Sequence, residues 1–324
     1  MSAHRLILAV LGPTASGKSA LGLALAERYR GEIVNCDSTA VYRGFDIGTD
    51  KVPPAARRGV PHHLIDIADP TDVYTAAQYA TDAARVIREI HGRGALPILI
   101  GGTGFYYRAL TRGLFPGPGA DNALRARLDR VAERKGPERL HRMLRRVDAD
   151  SAQRIMPRDQ KRLVRALEVY LTTGRPLTAH FVDTRSPVAD CEIIALALTI
   201  PAALIGERVA RRVDEQFARG IVGEVESLLA SGIPADARPF GGLVYRQVME
   251  MRRGVRDEAA TRALIVRENR RYARRQLIWF RKEPNLIWFD GPGERPETLH
   301  RVEGVLASRG VRARGDALSD GPGI

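Results

Sequence analysis

The residues Gly12-Pro13-Thr14-Ala15-Ser16-Gly17-Lys18-Ser19 constrain this chain more than any other stretch. An apolar run, Leu6-Ile7-Leu8-Ala9-Val10-Leu11, precedes them, and the helix-forming run Ala20-Leu21-Gly22-Leu23-Ala24-Leu25-Ala26 follows. Strand, glycine loop and helix in that order are the context of a phosphate-binding loop. Gly12 and Gly17 permit backbone conformations that turn successive N–H groups onto an oxyanion, and the helix adds its positive end. Lys18 offers a mobile point charge to a terminal phosphate, and the Ser19 hydroxyl offers a ligand to Mg²⁺. The expected fold is a parallel α/β sheet of P-loop type with helices on both faces, binding a di- or triphosphate.

Length and composition bound the rest. A chain of 324 residues can bury a full core and form one domain with an insertion, or two domains. It holds no apolar run of the ~18 residues a membrane span needs, and it opens on no secretory signal. Cys36 and Cys191 lack the spacing of a disulfide framework or a zinc site. A cytoplasmic protein, with no membrane association and monomeric, fits these features. The net charge of +13 points to a polyanionic partner. Most of that charge is arginine, which a biased genome also produces, so the clustering of charge has to decide.

In chain order, Gly31–Cys36 reads as a second strand that ends in Asp37-Ser38-Thr39-Ala40, at the end of the sheet where open α/β folds bind ligands. Asp37 is suited to act as a general base, and equally to cap a helix. Residues 61–67 suggest a short third strand. Its adjacent His62 and His63 point to opposite faces, which favours structural hydrogen bonding over a shared metal. Thr75–Glu89 reads as a helix. Leu96–Ile100 reads as a buried strand followed by Gly101-Gly102-Thr103-Gly104, a second glycine loop with Thr103 as a candidate hydroxyl.

From residue 118 to 187 strand signals vanish and amphipathic helices take over, at 122–134, 137–146 and 159–172. The expected division is a first core part at 1–117, a helical insertion at 118–187, a second core part at 188–308 and a disordered tail at 309–324. Arg158, Lys161, Arg162 and Arg165 make a basic helix face. After a strand at 191–198, Arg208 and Arg212 stand four apart on one helix. There they can clamp a diphosphate, or pair with Glu207, Asp214 or Glu215. Between Arg252 and Lys282 arginines interleave with Tyr272, Trp279 and Phe280. That pattern suits an RNA-binding face or an arginine-rich surface helix over core aromatics. Asn285–Asp290 reads as the last strand.

Taken together, GPTASGKS, DSTAVYRGFDIGT, PHHLIDI, IGGTGFYYRAL, RDQKRLVRALEVYLTTGRPLT and RRYARRQLIWFR resemble the tRNA dimethylallyltransferases, in the family order over about residues 5–290. The resemblance implies transfer of a dimethylallyl group from dimethylallyl diphosphate to N6 of an adenosine. That adenosine lies next to the anticodon, at position 37 of tRNAs that read codons starting with U. It implies Asp37 as the base and Thr103 at the reacting centre. It assigns the diphosphate to residues 12–19 (Gly12, Pro13, Thr14, Ala15, Ser16, Gly17, Lys18 and Ser19) with Mg²⁺ on Ser19, and chemistry adds Arg208 and Arg212. The tRNA contacts it implies are Asp37, Ser38, Thr39, Ala40, Thr103 and Arg125; Lys161, Arg162, Leu163, Val164 and Arg165; Gly241, Gly242, Tyr245 and Arg246; and Arg274, Arg275, Gln276, Trp279 and Arg281. The target base must leave its stack to reach Asp37, and the helical insertion would clamp the anticodon stem-loop.

The chain departs from the family pattern at Val244, where Gly is common before the tyrosine, at Arg158, where Asn is common, and at Ala40, where Gln is common. Three other activities share parts of the signature. An adenylate isopentenyltransferase would prenylate free AMP, ADP or ATP, a P-loop kinase would use the loop for ATP, and a non-catalytic RNA-binding protein would need no intact loop. The helical insertion and the basic cluster argue against the first two. Intact Lys18, Ser19 and Asp37 argue against the third.

Overall fold

Strand β1 (Leu6–Leu11) lies inside a six-stranded sheet, and its side chains alternate between two cores. Ile7, Ala9 and Leu11 face one, Leu8 and Val10 the other. The computed structural model describes residues 5–314. Helix α1 (Lys18–Arg28) leads to β2 (Gly31–Asn35), β3 (His62–His63), α2 (Ala76–Gly92), β4 (Leu96–Gly101) and α3 (Gly104–Arg112). After a helical excursion the chain re-enters the sheet as β5 (Glu192–Thr199). The sheet order is β3-β2-β4-β1-β5 with a final strand, Leu286–Asp290, at the far edge, and every pairing is parallel. Parallel strands need crossovers, which place helices on both faces and bury the strands on both sides. The strand order reverses at β1, so the loops after β1 and β4 flank the crevice where such sheets bind ligands.

The expected strand over 61–67 shrinks to two residues. Leu64 (φ 61°) and Asp66 (φ 57°) lie in the left-handed region, which an extended strand cannot include. The break turns the Asp66 carboxylate onto the buried Lys51 amine, which Asp46 also binds. The two histidines hydrogen-bond locally, His62 Nδ1 with the Val60 carbonyl and His63 Nε2 with Glu32.

Contacts divide the chain into two units, residues 1–111 with 188–324, and 112–187. The second begins six residues before the expected 118 because Phe115 packs on His180 and Phe181 within it. It comprises α4 (Asn122–Lys135), α5 (Pro137–Val147), α6 (Ala149–Arg154) and α7 (Gln160–Thr173) around Leu128, Leu140, Leu144 and Leu167. Asp121, Asp148 and Asp159 cap α4, α6 and α7. Seventeen Arg and Lys against nine Asp and Glu give this unit a net +8.

The first unit continues after β5 with α8 (Ala202–Ala218), α9 (Ile221–Ala230), α10 (Leu243–Arg252), the 23-residue α11 (Glu258–Phe280), β6 (Leu286–Asp290) and α12 (Pro296–Ser308). The expected tail from 309 is corrected in its first six residues. Val311 packs against the core shared by α1 and α12, and the Arg314 N–H donates to the Arg28 carbonyl at 2.7 Å. The remainder of that tail lies outside the described residues. No helix among the described residues is long and apolar enough to cross a membrane.

Candidate active site

The glycine loop between β1 and α1 is built by close approach. Gly17 caps α1 at φ 86° with no side-chain cap, so the first-turn amides of α1 keep no intrahelical acceptor. Ala15 shares the left-handed region at φ 61°. Ser16 Oγ is fully buried without a hydrogen-bond partner, a hydroxyl that an oxyanion in the loop can engage. Lys18 Nζ turns back onto the Pro13 carbonyl at 2.6 Å. Burial, and then the neighbouring Arg212, pull the Lys18 amine down to about 7, against the attraction of Asp37. Ser19 stands exposed in the first turn of α1. Its hard hydroxyl oxygen suits a Mg²⁺ that keeps water and phosphate oxygens as its other ligands. Among the described residues no cluster of three His, Cys, Asp or Glu forms a protein-only metal site.

Both candidate arginines reach the loop from α8. Arg208 Nε donates to the Ala15 carbonyl at 2.6 Å, and Arg212 Nη1 to Thr14 Oγ1 at 2.8 Å. Their ion-pair partners are Glu294 and Asp50 rather than Glu207, Asp214 or Glu215. Neither Glu294 nor Asp50 is conspicuous in the sequence, since each comes from a distant loop. Burial raises the Asp50 carboxyl, against the pull of Arg212. Burial would also raise Glu294, but the Arg208 hydrogen bond, a bond from its own backbone N–H and the charges of Arg208 and Arg211 together outweigh it and hold that carboxyl below its usual range.

The second cluster sits at the ends of β2 and β4. Asp37 is not a helix cap. Asn35 holds its backbone at both ends, Nδ2 donating to its carbonyl at 3.0 Å and Oδ1 accepting from its N–H at 3.1 Å. Asp37 Oδ1 accepts from the Thr39 N–H at 2.9 Å and from Thr39 Oγ1 at 2.7 Å, which fixes the carboxylate without burying it. Thr103 Oγ1 accepts from the Ser38 N–H at 3.1 Å, and the Thr103 N–H donates to the Cys36 carbonyl at 3.2 Å. The acidic residue and the hydroxyl, 66 positions apart in sequence, thus share one pair of strand ends.

Helix α11 closes this cluster with residues the sequence places elsewhere. The Tyr272 hydroxyl interacts with Thr103 and Gln276, and burial followed by the Asp37 charge raises its pKa. Tyr272 has no role in the motif-based assignment. Its spacing of four from Gln276 is the only signal that could have grouped the two.

Several residues expected to contact tRNA also have partners within the fold. Gln276 is 5% exposed and spends its amide on two backbone groups. Leu163 and Val164 are core residues of the helical unit because they lie on the inner face of α7. Ala40 is buried. Tyr245 packs edge-on against Phe45 and donates to Glu224, and its neighbour Val244 fills the same core in place of the family glycine. Arg125 and Arg165 bind the fully buried Glu168, with Arg125 Nε and Nη2 at 2.8 and 2.9 Å and Arg165 Nη1 at 2.6 Å. Trp279 is half-buried beneath the Arg108 guanidinium, 4.6 Å from the ring centre. Thr39, Lys161, Arg162, Gly241, Arg246, Arg274, Arg275 and Arg281 are exposed, and Ser38 and Gly242 are partly so.

The chain matches the family model described as IPP transferase over residues 40–283. It is 47% identical over 292 residues to the tRNA dimethylallyltransferase of Solibacter usitatus, covering 90% of this chain and 94% of that protein. With the tRNA dimethylallyltransferase of Geobacter metallireducens it shares 46% over 300 residues, covering 93% and 97%. The crystal structure of the full-length tRNA isopentenylpyrophosphate transferase from Bacillus halodurans aligns with a TM-score of 0.70 at 34% identity, covering 94% of this chain and 96% of that one. With the family model spanning most of its length and such relatives matching nearly all of it, the chain belongs to the IPP transferase family.

Proposed function

We propose that the protein transfers a dimethylallyl group from dimethylallyl diphosphate to N6 of adenosine 37 in tRNAs that read codons starting with U. The observation that carries this reading is the pairing of an anion-binding glycine loop after β1 with Asp37 and Thr103 at the neighbouring strand ends. One cluster suits a departing diphosphate, and the other suits an incoming amine.

The allylic C–O bond breaks with positive charge developing on carbon and negative charge on diphosphate. The loop amides, Lys18, Arg208 and Arg212 stabilise the departing anion where that charge appears. Mg²⁺ held by Ser19 would add charge neutralisation on the same diphosphate when bound. The N6 amine forms the new C–N bond, and its proton passes to Asp37, whose fixed carboxylate also orients the amine. Thr103 stands beside the reacting centre. The products are the N6-dimethylallyl nucleotide, diphosphate and the protonated carboxyl, which returns its proton to water.

A tRNA acceptor, rather than free AMP, gives the charge distribution a purpose. The helical unit carries +8 of the chain's +13, and α11 exposes Arg274 and Arg275 beside its buried face. Extruding the target base costs roughly a few kcal/mol, which such phosphate contacts can offset. A monomer in the cytoplasm completes the proposal, since each described site is built from one chain.

The test offers labelled dimethylallyl diphosphate and Mg²⁺ to the purified protein with unmodified tRNA or with AMP. Label in tRNA alone is the expected result. Label in AMP establishes the adenylate activity instead, and ATP hydrolysis without either product establishes a kinase-like use of the loop.

A further inference from the structure

Gln276 stands on α11 with its amide between the two glycine loops. Oε1 accepts from the Thr14 N–H at 2.8 Å, and Nε2 donates to the Gly102 carbonyl at 2.9 Å. Thr14 is also the residue whose hydroxyl receives Arg212, and Gly102 immediately precedes Thr103. One side chain therefore ties the proposed diphosphate loop to the loop that carries the reacting-centre hydroxyl. A carboxamide accepts from one backbone group and donates to the other at the same time, which neither an ionised carboxylate nor an apolar side chain of the same length can do.

The fit of the second loop to this helix is independent support. A Cβ at Gly102 would overlap Gln276 Nε2, and a Cβ at Gly104 would overlap the Trp279 ring. The loop thus carries glycine where α11 presents Gln276 and Trp279, three residues apart on one face. Tyr272, one turn earlier, interacts with both Thr103 and Gln276.

We infer that Gln276 is a positioning residue. It sets the distance between the diphosphate loop and Thr103, and so the alignment of the allylic carbon with the incoming amine, and it does not contact tRNA. The inference rests on the transferase reading above. Misplacing reacting groups by about 1 Å can cost about 100-fold in rate. The amide's own backbone bonds, in contrast, are worth only the ordinary stability of two hydrogen bonds.

The experiment compares wild type with Gln276→Met, Gln276→Glu and Gly102→Ala in single-turnover transfer to unmodified tRNA, at saturating enzyme and dimethylallyl diphosphate. The rate constant then reports the chemical step independently of the folded fraction, and filter binding gives tRNA affinity. The expected result is a rate constant lowered about 100-fold for Gln276→Met, with tRNA affinity within about twofold of wild type. Gln276→Glu, which keeps the acceptor for Thr14 and loses the donor for Gly102, falls between. Gly102→Ala, which displaces the amide from the other side, matches Gln276→Met and serves if that variant does not fold. An unchanged rate constant with a lower amplitude would make the amide merely structural and overturn the inference. A parallel loss of tRNA affinity would overturn it in favour of a direct contact. Failure of wild type to label tRNA would refute the transferase reading itself.

Discussion

The Arg208 guanidinium is shared between the Ala15 carbonyl of the glycine loop and the Glu294 carboxylate that lies over Gly17. A carboxylate on an anion-binding arginine competes with the anion. Replacing it with a neutral isostere leaves Arg208 in place and removes the competitor.

Glu294→Gln is therefore expected to lower the KM for dimethylallyl diphosphate about two- to fivefold, the scale of an exposed ion pair. The tRNA KM should stay unchanged. Steady-state kinetics at varied diphosphate donor checks this, and a raised KM would show that Glu294 orients Arg208 rather than competing for it.

Asp37→Ala removes the carboxylate fixed by Thr39. Loss of a positioned base costs about 100- to 10,000-fold in the chemical step. tRNA affinity, carried by distributed phosphate contacts, should change by no more than a few-fold. Transfer at the wild-type rate in this variant would remove Asp37 from the base role.

Arg274 and Arg275 are exposed on α11, and Arg275 lies 5.7 Å from the Tyr272 ring. Replacing both with Ala should weaken tRNA binding and flatten the dependence of log K on log salt by about 0.7–0.9 per lost phosphate contact. Binding titrations between low and moderate salt read the slope directly. If the slope holds while affinity falls, neither side chain touches a phosphate.

Stability of the helical unit should depend on pH through Glu168 and Asp148. Burial pushes both carboxyls up. Hydrogen bonds from Arg125 and Arg165 to Glu168, and from Ser151 and Thr178 to Asp148, outweigh it and hold both below their ordinary values. A carboxyl whose folded pKa is depressed contributes stability above its unfolded pKa and loses it as pH falls through the folded one. The unit should therefore hold its full stability above about pH 4.5 and lose it progressively in more acidic solution. Glu168→Gln should flatten part of that decline and destabilise the protein at neutral pH, because two arginines lose their buried partner. Circular-dichroism melts across pH 2–7 follow both effects, and an identical pH profile in the variant would exclude Glu168 as a cause.

The two candidate loops of this protein were legible in its sequence because each is carried by contiguous residues. Residues 12–19 announce their loop through glycine spacing between a strand and a helix, and Asp37 and Thr103 follow segments, 31–36 and 96–100, that read as strands. The helices over 122–134, 137–146 and 159–172 follow from their periodicity for the same reason, whereas the short α6 (Ala149–Arg154) carries too few residues to show one. What the sequence could not determine was which distant residues complete each cluster. Glu294 and Asp50 meet Arg208 and Arg212, and Glu168 gathers Arg125 and Arg165, because the tertiary fold brings their backbones together, and no local pattern encodes that. Tyr272 and Gln276 lie within an arginine-rich stretch whose composition speaks for RNA. Only the packing of α11 decides which of its faces is exposed to bind a polyanion and which is buried against the two loops. A helix shows its neighbours one spacing but not its rotation about its own axis relative to the sheet. That rotation is fixed by core packing, and here it separates the exposed Arg274 and Arg275 from Gln276, which is buried against the two loops.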